Sequence, residues 1–233
     1  FMSSIILVRI LTKDEYGVFT YAWNIYSIIL IMNGLGVESG ILQMCSERSG
    51  NEDYARRICD YGSRYGVKFD FFLTILLITI GLVFPLPIKG ADKLLILMSC
   101  LPIVSLFSLN IIYLRSQKRN RDFAKLSVLN TILLLVISIV GALLFREKGL
   151  VFGYYGAYTI SIFYAWKILN IHLTTHGNDI SKEDRKALIS ISFVSMCNNG
   201  LSQLLYLLDV FVLGLVNKKE AILASYKVAT IIP

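Results

Sequence analysis

Charge is scarce in this chain. Asp, Glu, Lys and Arg make up 17% of its 233 residues, where a soluble domain carries about 25%. Hydrophobic residues make up 55%, and mean hydropathy is +0.64. A soluble globular enzyme is therefore a poor fit, and so much apolar mass excludes intrinsic disorder. Histidine occurs only twice, and the four cysteines show no C-x-x-C spacing. Four prolines and 16 aperiodic glycines exclude a collagen-like chain, and the sparse cysteines exclude a disulfide scaffold. No nucleophile motif, phosphate loop or H-E-x-x-H is present. No basic stretch or small-residue cleavage site precedes the first apolar run, so a signal peptide is not expected.

What is abundant is apolar sequence in runs near 20 residues, the length that crosses a hydrocarbon core of ~30 Å. A partial run covers Phe1 to Leu11. Full candidates follow at Tyr16 to Leu42, Gly66 to Phe84, Leu94 to Leu114, Ala124 to Phe145, Leu150 to Leu169 and Ile189 to Val216. Each is apolar on nearly all sides, unlike the one-sided stripe of a surface helix. The expected fold class is all-α, a polytopic membrane helix bundle. The chain opens inside one apolar run and stops inside the start of another, so a fragment of a longer membrane protein is expected.

The connections are polar: Thr12 to Glu15, Ser46 to Tyr65, Pro85 to Lys93, Arg115 to Phe123, Arg146 to Gly149, Asn170 to Leu188 and Asn217 to Lys219. Those after the second, fourth and sixth spans hold Arg48, Arg56, Arg57, Arg64 and Lys68, then Arg115, Lys118, Arg119, Arg121 and Lys125, then Lys167, Lys182, Arg185 and Lys186. That is 14 of the 23 Lys and Arg residues. The positive-inside rule makes these loops cytoplasmic. The formal charge of +7 is then that of solvated helix ends facing anionic lipid, and no nucleic-acid partner is expected. Cys45, Cys59, Cys100 and Cys197 are expected to be reduced and structural.

The first and seventh spans resemble each other. Ile10 to Tyr21 lies over Leu215 to Tyr226 without a gap, with Lys13 on Lys218, Glu15 on Glu220 and Tyr21 on Tyr226. Repeats six helices apart keep the same orientation, and sites in such transporters lie between the repeats near the midplane. The division expected is residues 1–188 as an N-terminal six-helix lobe and 189–233 as the first helices of a second lobe.

Polar groups in hydrocarbon are costly and face a cavity or a partner. In the seventh span Ser195, Asn198, Ser202, Tyr206 and Asp209 step by three and four along one helix face, widened by Asn199 and Gln203. The stripe lines either a wet cavity or an interhelical hydrogen-bond seam. Thr20, Asn24, Ser27, Gly34 and Glu38 share a face of the second span. Glu38 sits in Gly34-Leu35-Gly36-Val37-Glu38-Ser39-Gly40. Those glycines either let helices approach closely or loosen the helix beside a buried carboxylate able to bind a proton or cation. Arg9 either snorkels to the interface or faces an anionic substrate. Lys68 and Asp70 read as an interfacial pair. Pro102 should kink the fourth span and free a carbonyl that Ser105 and Ser108 could cover. His172 and His176 are four apart with no third ligand, so no metal site is expected. Ser181 reads as a helix cap.

Three patches resemble one family. The run Leu7-Val8-Arg9-Ile10-Leu11-Thr12-Lys13-Asp14-Glu15-Tyr16-Gly17-Val18-Phe19 resembles the first extracellular turn of bacterial polysaccharide flippases, the O-antigen and teichuronic-acid exporter type. Gly34 to Ile41 resembles that family's glycine-rich end of helix two. Leu208-Asp209-Val210-Phe211-Val212-Leu213-Gly214 resembles its helix-seven segment, with Ser225-Tyr226-Lys227 like the start of helix eight. The family often carries Arg where this chain has Val210. The resemblance implies the fold shared with multidrug and toxin extrusion (MATE) transporters and lipid II flippases. It implies a multi-pass protein of the bacterial cell membrane that moves an undecaprenyl-diphosphate-linked oligosaccharide to the outer leaflet by alternating access. Implied partners are that lipid-linked oligosaccharide, membrane lipid and other polysaccharide assembly proteins. No cofactor is implied, and proton or sodium coupling stays open.

The substrate-cavity candidates are thus Arg9, Asn24, Ser27, Glu38, Ser195, Asn198, Asn199, Ser202, Gln203, Tyr206 and Asp209. A MATE-type ion-coupled drug or cation exporter is the alternative. An embedded enzyme is not expected, because the outward loops are short and both histidines face the cytoplasm.

Overall fold

The computed structural model describes residues 2–48, 51–83, 90–169 and 180–216, and among these it is helical with no strand. Helix α1 (Met2–Ile10) ends at a sharp turn where Thr12 and Glu15 form a reciprocal cap. The Glu15 amide donates to the Thr12 hydroxyl at 3.3 Å, and the Thr12 amide donates back to the Glu15 carboxylate at 2.9 Å. That satisfies two of the amides a new helix leaves free. It launches α2 (Lys13–Leu30), which a 3-10 segment (Asn33–Gly36) joins to α3 (Val37–Glu47).

Helix α4 (Glu52–Val83) has 32 residues, or ~48 Å at 1.5 Å per residue. It outruns the ~30 Å core. Its C-terminal half leaves Phe71, Phe72, Ile75, Leu76, Ile80, Leu82 and Val83 exposed. Its N-terminal half overturns the expectation of a loop over Ser46 to Tyr65. Tyr54, Ala55, Ile58, Cys59 and Gly62 form a buried stripe there, and that stripe packs on α3 and on α6 (Leu101–Ser116), with Tyr54 also reaching Asp184 of α8 (Lys182–Val216).

Helices α5 (Ala91–Ser99) and α6 (Leu101–Ser116) meet at a 42° bend. Pro102 lies in the first turn of α6, where its missing amide costs no helical bond. The Cys100 amide turns to the Leu97 carbonyl, which leaves that of Ile96 to the Ser99 and Tyr155 hydroxyls at 2.7 and 3.0 Å, while the carbonyl that Pro102 frees is that of Met98. Thr74 covers the Met98 carbonyl at 3.4 Å. Ser105 and Ser108 do not take the covering role expected of them; both point toward carboxylates instead.

Helix α7 (Asn120–Leu169) is two spans in one. At Phe145 and Arg146 the backbone leaves the helix, with Arg146 at φ 55° and ψ −137°. The arms 120–144 and 147–169 then run antiparallel. Gly141 and Gly149 touch backbone to backbone, and Gly153 lies against Ser138. Only glycine permits so close an approach.

Lys13–Glu47, Glu52–Val83 and Asn120–Lys167 are long and apolar enough to cross a membrane, and the bent pair α5–α6 makes a fourth such stretch. One core joins α1, α2 and α5 with Leu73, Leu101, Ala142, Leu150 and Val151. A second joins α3, α4, α6 and α8. The third joins α6 to both arms of α7. The second half of the expected repeat, from Asn217 onward, and the His172 and His176 pair lie outside the described residues.

Candidate functional site

The second span is interrupted inside the membrane. After Leu30 the chain makes short-range bonds, with the Met32 amide reaching the Ile29 carbonyl and the Leu35 amide reaching Met32, both at 2.9 Å. Gly34, Leu35 and Gly36 then take φ of 56°, 54° and 73°. Two of these three left-handed positions are glycine, which carries no steric penalty there. The Gly34 amide has no helical acceptor. It donates instead to both carboxylate oxygens of Asp70, at 2.8 and 2.9 Å.

Asp70 is wholly buried on α4. It shares the buried face of Gly62, Gly66, Leu73 and Thr74, while Lys68 is exposed. The expected interfacial Lys68–Asp70 pair is thus not formed, because the helix turns Asp70 inward at the point where Gly66 meets Gly34. Around the break, Glu38 of α3 faces the Ser108 hydroxyl and the Asn33 side chain. Ser105 of α6 is buried beside Asp70. Among the described residues no lysine or arginine pairs with Asp70 or Glu38. Two carboxylates, two hydroxyls and an amide therefore gather at one broken helix, a donor set suited to a proton or a small cation. Among the described residues no cluster of three or more His, Cys, Asp or Glu could hold a metal ion.

The glycines after the break serve close approach as well. A Cβ on Gly36 would lie 2.5 Å from the Ser192 carbonyl oxygen, and one on Gly40 would strike the Ser192 hydroxyl. Leu188, Ser192, Met196 and Gly200 step by four along the face of α8 that packs here.

The other candidates are spread out. Arg9 is exposed at the end of α1. Asn24 is buried at 2% exposure, and Ser27 is half-buried and donates to the Trp23 carbonyl of its own helix at 2.8 Å. On α8, Ser195 is half-buried, and Asn198, Asn199, Ser202 and Gln203 are exposed. Ser195, Asn198 and Ser202 occupy a flank of α8 between its packed face and the apolar stripe of Val194, Leu201 and Leu208, while Asn199 and Gln203 continue the packed face beyond its contacts. The side chains of Tyr206 and Asp209 lie outside the described residues.

Two charged groupings escaped the sequence. At the end that holds the turn after α1, Lys93 is buried, and its Nζ lies 2.7 Å from Glu147 and 3.3 Å from Asp92. Arg146 there reaches the Ile10 carbonyl at 3.4 Å and Glu15 at 3.7 Å. At the opposite, basic end Arg48 lies 3.4 Å from Asp184 and stacks on Tyr54, which donates to Asp184 at 3.1 Å. Ser181 caps α8 as expected. The four cysteines are free thiols.

No curated protein and no solved structure matches the chain. The family described as polysaccharide biosynthesis protein matches residues 6–233, nearly the whole length. With its helices long and apolar enough to span a bilayer, the chain is a multi-pass membrane protein and belongs to the polysaccharide biosynthesis protein family.

Proposed function

We propose that the chain belongs to a transporter that flips an undecaprenyl-diphosphate-linked oligosaccharide from the cytoplasmic to the outer leaflet. The observation that carries this is the polar flank of α8. Asn198, Asn199, Ser202 and Gln203 are exposed on a helix whose other open face is apolar. Uncovered amides in hydrocarbon would cost several kcal/mol each on the order of a lost hydrogen bond. A water-filled path shared with a second lobe removes that cost. Such a path accepts a glycan, while the lipid tail stays in the bilayer. The family's role in polysaccharide biosynthesis supports the same substrate class.

The test is deletion of the gene, followed by measurement of lipid-linked oligosaccharide on the cytoplasmic leaflet. Accumulation relieved by complementation is expected. No accumulation would favour the second reading, an ion-coupled exporter of small cations. The specific observation behind that alternative is the pair of carboxylates Asp70 and Glu38, with no basic partner among the described residues. Ion-dependent efflux would then be the assay.

A further inference from the structure

Asp70 is the least solvated acid described, yet its hydrogen-bond partners are few. Both oxygens take the single Gly34 amide, at 2.8 and 2.9 Å, and Ser105 of α6 stands beside them. Glu38 of α3 and Tyr26 of α2 are the titratable groups that face it, and Cys100 at the α5–α6 bend faces Tyr26 in turn. Exposed Lys68 lies half a turn toward the basic end, so water at the interface is within about one helical turn.

The amide that Asp70 holds is the first left-handed residue of the break. Downstream, Gly36 is pressed on the Ser192 carbonyl of α8. The bend of the second span and the seat of α8 are therefore joined through residues 34 to 36.

We propose that Asp70 is a proton-binding site that sets the conformation of this break. Ionised, it holds the Gly34 amide by a charge-assisted bond, roughly twice as strong as a neutral one. A proton taken from interfacial water onto one carboxylate oxygen removes the charge and turns that oxygen into a donor. The Gly34 amide is then held weakly, and the turn of residues 34 to 36 is free to rearrange against α8. The ligand is the proton alone, so the device is independent of the substrate proposed above.

The test is hydrogen–deuterium exchange of the full protein in lipid nanodiscs, read on peptides covering residues 31–37 and corrected for intrinsic rate. Going from about pH 8 to about pH 5, wild type should exchange on the order of tenfold faster, the weight of one pKa unit. D70N should exchange fast and without a pH step. E38Q removes the carboxylate that faces Asp70 and should move the midpoint. A flat wild-type profile, or a step that survives in D70N, overturns the proposal. Should D70N fail to fold, a midpoint unmoved in E38Q overturns it equally.

Discussion

Ser161 donates its hydroxyl to the side-chain amide oxygen of Asn130 at 3.0 Å, across the two arms of α7. Thirty-one residues separate the pair, ~46 Å along an unbroken helix, so this bond alone requires the hairpin. Both residues are buried. Interhelical bonds in membranes average about 0.6 kcal/mol, with a maximum near 1.7. Ser161→Ala should therefore cost roughly 1 kcal/mol, because it leaves the Asn130 oxygen without its donor. The pair Ser161→Ala with Asn130→Leu removes both polar groups and should recover part of that loss. Thermal unfolding in detergent gives the comparison. A double variant less stable than the sum of its single variants would contradict the assignment.

The ion pairs at the end that holds the turn after α1 separate by burial. Lys93 and Glu147 lie 2.7 Å apart, with side chains only 11% and 21% exposed. Arg146 and Glu15 lie 3.7 Å apart, and the Arg146 side chain is 60% exposed. A double-mutant cycle over Lys93 and Glu147 should give a coupling of about 1–3 kcal/mol. The same cycle over Arg146 and Glu15 should stay below about 1 kcal/mol and fade with salt. Equal couplings would mean that the α5 and α7 ends are not packed together as described.

Glycine substitutions should sort in the same way. Gly36 carries φ 73° and has no room, since its Cβ would meet the Ser192 backbone at 2.5 Å and Met196 at 2.9 Å. Gly156 would meet only the Ile137 side chain, at 3.6 Å, an ordinary contact. Gly36→Ala should thus cost about 2–4 kcal/mol, adding left-handed strain to overpacking. Gly156→Ala should lie near zero, within about 0.5 kcal/mol. Disulfide cross-linking between cysteines placed on α3 and α8 would show whether the loss comes from displaced α8.

Much of the bundle was legible because lipid selects on composition. Apolar runs of span length give the helices. Rotation about each helix axis was less legible. Asp70 sits two residues from Lys68, and sequence alone paired them at the interface. Gly62 and Gly66 decide otherwise, because they bring that face of α4 onto Ile41 and Gly34. The same blindness hid the N-terminal half of α4. Its average polarity resembles a loop, while the spacing of Tyr54, Ile58, Cys59 and Gly62 is that of a buried helix face. Lys93 and Glu147 meet only through tertiary structure, since one starts α5 and the other follows the break in α7. The glycines of residues 34 to 40 stand out in the sequence, and Gly40 does admit α8 closely. Gly34 breaks the helix, but the carboxylate its amide meets is Asp70 of α4, where the sequence points to Glu38.

The flank of α8 carries the transport proposal, and thiol chemistry reads it directly. In a background where exposed Cys197 is replaced, Ser202→Cys, Tyr206→Cys and Asp209→Cys should react with membrane-impermeant thiol reagents in the full protein. Val194→Cys and Leu201→Cys lie on the apolar stripe, exposed at 63% and 65%, and should react at least about tenfold more slowly, because a thiol in hydrocarbon does not form the reactive thiolate. Leu201 and Ser202 are neighbours along the helix, about 1.5 Å apart in depth, so depth cannot produce a contrast between that pair. Only water on one flank can. If positions 202, 206 and 209 are as silent as 194 and 201 from both sides of the membrane, the polar flank is a hydrogen-bonded seam against protein. The substrate path must then run elsewhere. Reactivity that protonation or substrate shifts from one side of the membrane to the other would instead tie this flank to alternating access.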